Sequence, residues 1–383
     1  MSAHVVVVGG GLHGCSAAIH LARRGYGVTI FEKDYVGRHA SGVNAGGLRR
    51  LRRHAAEIPL SIVAMEMWHR LDELLGQRLS GSCEFSGQVG QVSVAEDESD
   101  MQALVARAAE VRALGYDHEE VIDRAELRRV VPALAPSCIG GLISRRDGFA
   151  TPYLTSKAFR LRALELGVSL REGVGVMALD RRGSGWRVHT AGGPVEADIV
   201  VNCAGAWGWQ VAAMCGEILP KGYFGLSQMV TARMPHFVTP VVLGTGRSMS
   251  FHQTPDGTVL IGGGIEGSHD LEGNYADAVA GNLARTGQVV LDLFPVMRDA
   301  TIIRSWAGLE ARMPDVIPVI GRSAKDPALI HSFGFSAHGF QLVPVAGSIV
   351  AELVDEGSSR LPIEAFRASR FEEGRNDAET SAL

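Results

Sequence analysis

The chain reads as an α/β protein with two interleaved domains, and three observations predict it. An apolar β-branched run, Val5–Val8, turns through Gly9, Gly11 and Gly14 into an Ala-rich helix and returns as the strand Val28–Glu32. Segments of alternating α/β pattern then exchange with β-rich ones along the whole chain. Finally, strand patterns such as Asp198–Asn202 and Leu329–Ser332 lie far downstream, so the opening β-α-β has to pair with them. With 383 residues, 46% of them hydrophobic, one large or two intertwined domains are expected.

The opening unit, about residues 3–33, has the layout of a dinucleotide site. Gly9 permits a sharp turn, Gly11 removes a Cβ where a pyrophosphate must approach, and Gly14 lets helix and strand pack closely. The helix N-terminus offers free N–H groups and a positive dipole end to phosphates, and Glu32 can accept from a ribose hydroxyl. Gly25 ends this helix after Arg24. A glycine-rich stretch, Gly37–Gly47, precedes a helical pattern over Glu57–Leu75, with Ile58, Ile62, Met65 and Trp68 on one face. Short strands near Gln91–Val94 and helices at Ser99–Leu114 and Asp123–Val130 follow. Residues 147–156 lead into a helix ending near Gly167, then strands at Ser169–Arg171, Val174–Leu179 and Trp186–Thr190. Residues 216–310 read mostly as β, with strands at Gln228–Ala232, Val241–Leu243, Met249–His252, Thr258–Ile261 and Ala300–Trp306 around a helix at 274–292. Strands at Ile317–Ile320 and Leu329–Ser332 and a helix at Val343–Val354 close the fold. The polar stretch 372–383 reads as a disordered tail.

A formal charge of −5 argues against nucleic acid or an anionic membrane as the main partner. Lysine occurs only at positions 33, 157, 221 and 325, which leaves little for Schiff-base chemistry. Cys15, Cys83, Cys138, Cys203 and Cys215 form no C-x-x-C and no metal-like cluster with histidine, so reduced thiols and no metal site are expected. Val5–Val8 is too short for a signal or transmembrane segment, and a soluble, cytoplasmic enzyme is expected.

Three further segments specify the dinucleotide. They are Val200–Trp207, Trp306–Asp315 followed by Pro318–Gly321, and Gly334–Gln341 opening the last helix. Together with the N-terminal glycines, they resemble the D-amino-acid-oxidase-like family of FAD enzymes, over nearly the whole chain and in the family's order. The family includes sarcosine oxidases, glycine oxidase, D-amino-acid dehydrogenases and β subunits of opine and hydroxyproline oxidoreductases. The resemblance implies a Rossmann-like FAD-binding domain (1–80, 147–215 and 316–371) interleaved with an α+β substrate domain on an antiparallel-rich sheet (81–146 and 216–315). It implies non-covalent FAD, because no linking cysteine stands near Met313–Asp315. Gly9, Gly11 and Gly14 would cradle the pyrophosphate, and Glu32 the adenosine ribose. Ser41, Asn44, Gly46 and Gly47 would line the pyrophosphate and flavin side, Val174 or Val176 the adenine. Ala204 and Gly205 would pass under the cofactor. Gly339, Phe340 and Gln341 would give N–H groups to the flavin O2, where reduced flavin carries negative charge. Leu12, His13, Lys33, Leu48, Trp207, Gly308, Gly334 and His338 complete the implied cofactor-binding set.

By the same resemblance the reaction is oxidation of a C–N bond beside a carboxylate, by hydride transfer to flavin N5, giving an imine that hydrolyses. The substrate would be an amino acid or a secondary-amine (N-alkyl or cyclic imino) acid, and the acceptor oxygen or another oxidant. The run Arg49-Arg50-Leu51-Arg52-Arg53-His54 follows the flavin-side glycines, and Arg49 and Arg52 match an R-x-x-R spacing that meets isoalloxazine and substrate carboxylate in the family. Which of Arg49, Arg50, Arg52, Arg53 and Arg312 face the substrate stays open, and His252 is a further catalytic candidate. The chain departs from the family at three places. Gln341 and Leu260 stand where sarcosine oxidase has lysines, which puts fast reaction with oxygen in doubt. Glu310 stands where glycine oxidase has arginine, which leaves carboxylate binding to Arg49, Arg52 or Arg312 and sets Glu310 against a cationic part of the substrate. An alternative within the resemblance is a flavin-carrying β-type subunit, active only with partner subunits; a homo-oligomer is also open.

Overall fold

The computed structural model describes residues 3–372. Strand β1 (His4–Val8) is apolar on both faces and so belongs in the middle of a parallel sheet. It pairs in parallel with β2 (Gly27–Glu32) on one side and with Ile199–Asn202 on the other. Ser169–Glu172 extends this sheet beyond β2, and Leu329–Phe333 extends it in parallel beyond Ile199–Asn202. Val319–Arg322 closes the edge antiparallel, giving six strands in all.

The alternation of β1 divides its side chains between two cores. Val5 and Val7 pack with the helices, while Val6 and Val8 pack with Phe31, Trp186 and Val188. Helix α1 (Leu12–Arg23) covers the first face, together with the helices Pro152–Glu165 and Gly339–Asp355. The second face is covered by an antiparallel meander, Val176–Arg182, Gly185–Thr190 and Gly193–Ala197.

A second sheet has nine strands among the described residues, drawn from 91–144 and 223–311. Its pairings are antiparallel except for Val241–Gly244 against Gln91–Ala95. The long strands Tyr223–Thr231, Val259–Asp270 and Ile302–Ala311 lie side by side at one end.

Three expected elements differ. The helix over 57–75 is two helices, Ile58–His69 and Leu71–Leu75, because Arg70 leaves helical space (φ −121°, ψ 35°). The helix expected from 274 begins at Ala280, since Tyr275–Asp277 pairs instead with the free edge of Val259–Asp270. The last helix begins at Gly339 and carries Pro344 inside it. Proline favours a helix's first turn, which is why the sequence places the start at Val343. The tail expected over 372–383 lies, from residue 373 onward, outside the described residues.

Gly347 marks where the last helix crosses α1, and a Cβ there would collide with Ser16. Gly347→Val is expected to lower stability by about 1–3 kcal/mol through overpacking, read from denaturant midpoints. An unchanged midpoint would contradict this close contact.

Candidate functional site

A cleft of about 380 Å³ runs from the β1–α1 turn to the start of the last helix, between the two sheets. At its first end, Gly9 has φ +102° and donates its N–H to the Phe31 carbonyl at 2.8 Å. A Cβ on Gly9 would meet the Cys203 carbonyl, and one on Gly14 would meet the carbonyl of Gly9. The turn therefore brings three backbones together, and only glycine fits. Gly11 caps α1 without a side chain, Leu12 is buried behind it, and the Leu12 N–H donates to Ser41 Oγ at 2.9 Å. Glu32 Oε2 accepts the Gly10 N–H at 2.7 Å and Oε1 the Asp34 N–H at 2.9 Å. Burial pushes the Glu32 pKa up, and these two donors work against it.

Beside this end, Lys33 Nζ lies 3.9 Å over the Trp207 ring and 2.9 Å from Asp34. Lys33 and His39 both bond Asn274 Oδ1, which ties the 32–39 segment to a turn of the second sheet. The Val174 N–H is spent on the Glu32 carbonyl at 2.9 Å, and Gly175 and Val176 line the cleft next to it.

Further along, Asn44 staples its own loop. Its Nδ2 donates to the Ala40 and Ser41 carbonyls at 2.9 and 3.1 Å, and its Oδ1 accepts the Gly46 N–H at 2.8 Å. Gly47 and Leu48 then pair with Gly148–Phe149. Ala204 and Gly205 follow Asn202 along the cleft wall, and Gly308 passes so close to Val43 that a Cβ would overlap it. Gly334, Ser336 and Ala337 all have positive φ (78°, 50° and 67°), an irregular turn delivering the chain to the helix that starts at Gly339. His338 at the N-cap gives no side-chain cap, so the first-turn N–H groups of Gly339, Phe340 and Gln341 have no partner within the helix. The Gln341 side chain turns inward, donating to the Ser61 carbonyl at 2.7 Å. His13 stacks flat on Phe335 (3.6 Å, 7°), and burial lowers its pKa to about 3, so it is neutral. Its Nδ1 is buried without a partner.

The arginines separate by their partners. Arg50 turns away from the cleft to Asp147, which is fully buried. Asp147 accepts from Arg50 Nε at 2.9 Å, from the Arg50 N–H at 2.7 Å and from the Leu51 N–H at 3.0 Å. Arg49, Arg52 and Arg53 line the cleft instead. Arg52 has φ +55° and donates to Ser93 Oγ and the Gly244 carbonyl at 3.1 and 3.2 Å. Arg53, 2% exposed, donates to the Arg49 carbonyl at 3.0 Å, and its Nη1 has no partner. Burial, helped by Arg53 and Arg52, lowers the Arg49 pKa to about 9. Among the described residues, these three arginines form no ion pair. His338 Nδ1 lies 2.9 Å from Glu57, and burial lowers its pKa to about 4.

Of the implied cofactor-binding set, Gly14, Leu48, Val174 and Gln341 do not line the cleft. Two of the catalytic candidates, His252 and Arg312, are not brought to it either. His252 is buried in the second sheet, stacked on Phe149 at 4.3 Å, with a pKa lowered by burial to about 4. Alternation along its strand allowed either face, and packing against Phe149 took the core side. Arg312 is exposed over the Phe224 ring at 5.7 Å, outside the cleft lining. Conversely, Asp147 and Glu57 were not legible as site-organising carboxylates. Asp147 is 97 residues from Arg50, and no local pattern announces that pairing.

Among the described residues there is no group of His, Cys, Asp and Glu able to hold a metal ion, and no helix long and apolar enough to cross a membrane. The β1–α1 cradle, with backbone where a Cβ on Gly9 or Gly14 would stand and a helix N-terminus behind it, fits the diphosphate of a dinucleotide.

A family model described as FAD dependent oxidoreductase (DAO) matches residues 4–353. The chain is 27% identical over 381 residues to the beta chain of the sarcosine oxidase of Rhizobium meliloti (strain 1021), covering 97% of this chain and 88% of that one. It is 25% identical to one subunit of the opine oxidase of Rhizobium meliloti, covering 96% and 97%. Among solved structures, L-proline dehydrogenase from P. horikoshii matches with a TM-score of 0.88 at 27% identity, over 97% and 98% of the two chains.

Because Asp147 is the buried counter-charge of Arg50, Asp147→Ala is expected to cost about 3–5 kcal/mol of stability. Chemical denaturation measures this, and a loss within experimental error would mean the pair does not hold the arginine segment.

Proposed function

The chain belongs to the DAO family of FAD-dependent oxidoreductases and is an amine or amino-acid oxidoreductase; from that premise we propose that it oxidises the C–N bond of an amino acid or a secondary-amine acid. The observation that carries this reading is the set of three cleft arginines without an ion pair. Burial first, and then the nearby charges of Arg53 and Arg52, lower the Arg49 pKa, and a carboxylate entering the cleft offsets both. Arg49 and Arg52 take that carboxylate, since a planar guanidinium offers it two parallel donors. Arg53, buried behind them, adds positive potential.

In this reading the β1–α1 turn with Ser41 holds the diphosphate of FAD, Glu32 the ribose, and the first turn of the last helix the flavin end. Bound FAD supplies the two-electron acceptor that takes a hydride from the carbon beside the nitrogen. The protein's part is to fix the carboxylate, exclude water and hold the reacting carbon in place. With Gln341 turned into the core, no cation stands at that position of the last helix, which supports an acceptor other than oxygen.

Two of the relatives, the sarcosine oxidase beta chain and the opine oxidase subunit, are themselves parts of larger enzymes. They favour a second reading in which this chain works beside partner subunits. Purified alone, it would then bind FAD yet remain unreduced by every amine until a partner is added. Reduction of the isolated chain by an amino acid overturns that second reading.

The first reading is tested by anaerobic flavin reduction with a panel of D-, L- and N-alkyl amino acids. Arg52→Leu is expected to weaken substrate binding about tenfold or more, as for loss of a charged hydrogen bond, with FAD content unchanged. Loss of FAD from that variant would show that Arg52 serves the cofactor, and an unchanged KM would remove it from the carboxylate site.

A further inference from the structure

The same cleft carries a carboxylate that forms no ion pair among the described residues. Glu310 lies at the penultimate position of the strand Ile302–Ala311 and lines the cleft. Its Oε1 accepts the Ala337 N–H at 2.7 Å. Among the described residues this is its one hydrogen bond, and it forms no ion pair. Burial raises its pKa to about 7, against the pull of the Ala337 N–H, and no charged side chain contributes. Glu310 is half-buried at the cleft wall, where a charge is less well solvated than in open water and gains from a partner of opposite sign.

Holding the Ser336–Ala337 turn does not explain the charge. An amide oxygen would accept the same N–H without the desolvation cost, so the carboxylate calls for a cationic partner from outside the chain. Other groups that line the cleft titrate elsewhere. Burial lowers Arg49 to about 9, above neutrality, and keeps His13 (about 3) and His338 (about 4) neutral. Of these residues, Glu310 is the one whose charge changes near neutral pH.

Resting on the reading of the substrate as a carboxylated amine, we propose that Glu310 binds the substrate's ammonium group and takes its proton. The N–H bond breaks with its electron pair left on nitrogen, and the proton goes to the carboxylate. A neutral amine and a neutral Glu310 side chain result, with no oxidant involved. The arginines and Glu310 then act as two poles that recognise a zwitterion, and the amine is left in the form that can give up hydride. A proton acceptor poised near neutrality suits this task.

The test compares two ligands of the FAD-loaded enzyme by calorimetry: trimethylglycine and its uncharged-carbon isostere, 3,3-dimethylbutyrate. Wild type should prefer trimethylglycine about tenfold near pH 8.5, where Glu310 is ionised, and lose the preference near pH 5.5, where it is protonated. Glu310→Gln keeps an acceptor for the Ala337 N–H, and it should bind the two ligands alike at both pH values. Flavin reduction in the variant should rise with pH through the substrate amine's own pKa. A wild-type preference that does not change with pH, or a preference retained in Glu310→Gln, overturns the assignment. Equal binding by wild type overturns Glu310 alone if amino acids still reduce the flavin. If neither ligand binds and no carboxylated amine reduces the flavin, the parent reading falls and this one with it.

Discussion

The buried pair between Asp147 and Arg50 is the contact on which the rest of the site depends. Asp147 lies between the strands Gly140–Ser144 and Gly148–Phe149, so it belongs to the second sheet side of the molecule. It accepts two backbone N–H groups and one guanidinium N–H from the segment that follows the second glycine-rich stretch. Fully removed from water, this carboxylate needs all of those donors, and they fix the course of residues 49–53. With Arg50 committed there, Arg49, Arg52 and Arg53 are left on the cleft side.

The charge layout of the cleft follows from that division. Among the described residues, Arg49, Arg52 and Arg53 gather positive charge without an ion pair, and Glu310 is a cleft carboxylate without one. Elsewhere buried carboxylates take hydrogen bonds from side chains of the chain itself. Glu57 meets His338, and Glu217 meets His331 and Ser323 deep in the core. Charged groups that line a cleft without an ion pair point to ligand chemistry rather than to folding.

Parts of this were legible in the sequence for a definite reason. The β1–α1 turn is local: Gly9 and Gly14 are required by backbone contacts within one β-α-β unit and its neighbour Cys203. Periodicity likewise revealed α1, the second glycine-rich stretch and the β-rich character of 216–310. It misled where a long-range contact competed with a local preference. Residues 275–277 left their helix for the edge of Val259–Asp270, and Pro344 disguised the start of the last helix. His252 shows the same limit in the site, since a strand's alternation gives two faces without saying which meets the cleft.

The sequence by itself determined the family, the glycine turn between β1 and α1 and the run of arginines after the second glycine-rich stretch, because those depend on glycines and motifs held within short stretches. Only the tertiary structure decided which arginines face the cleft, that His252 and Arg312 do not, and that Glu310 forms no ion pair among the described residues. The physical reason is that a buried charge takes its role from what neutralises it. Those partners lie up to hundreds of residues away along the chain, as with Glu57 and His338, which are 281 positions apart.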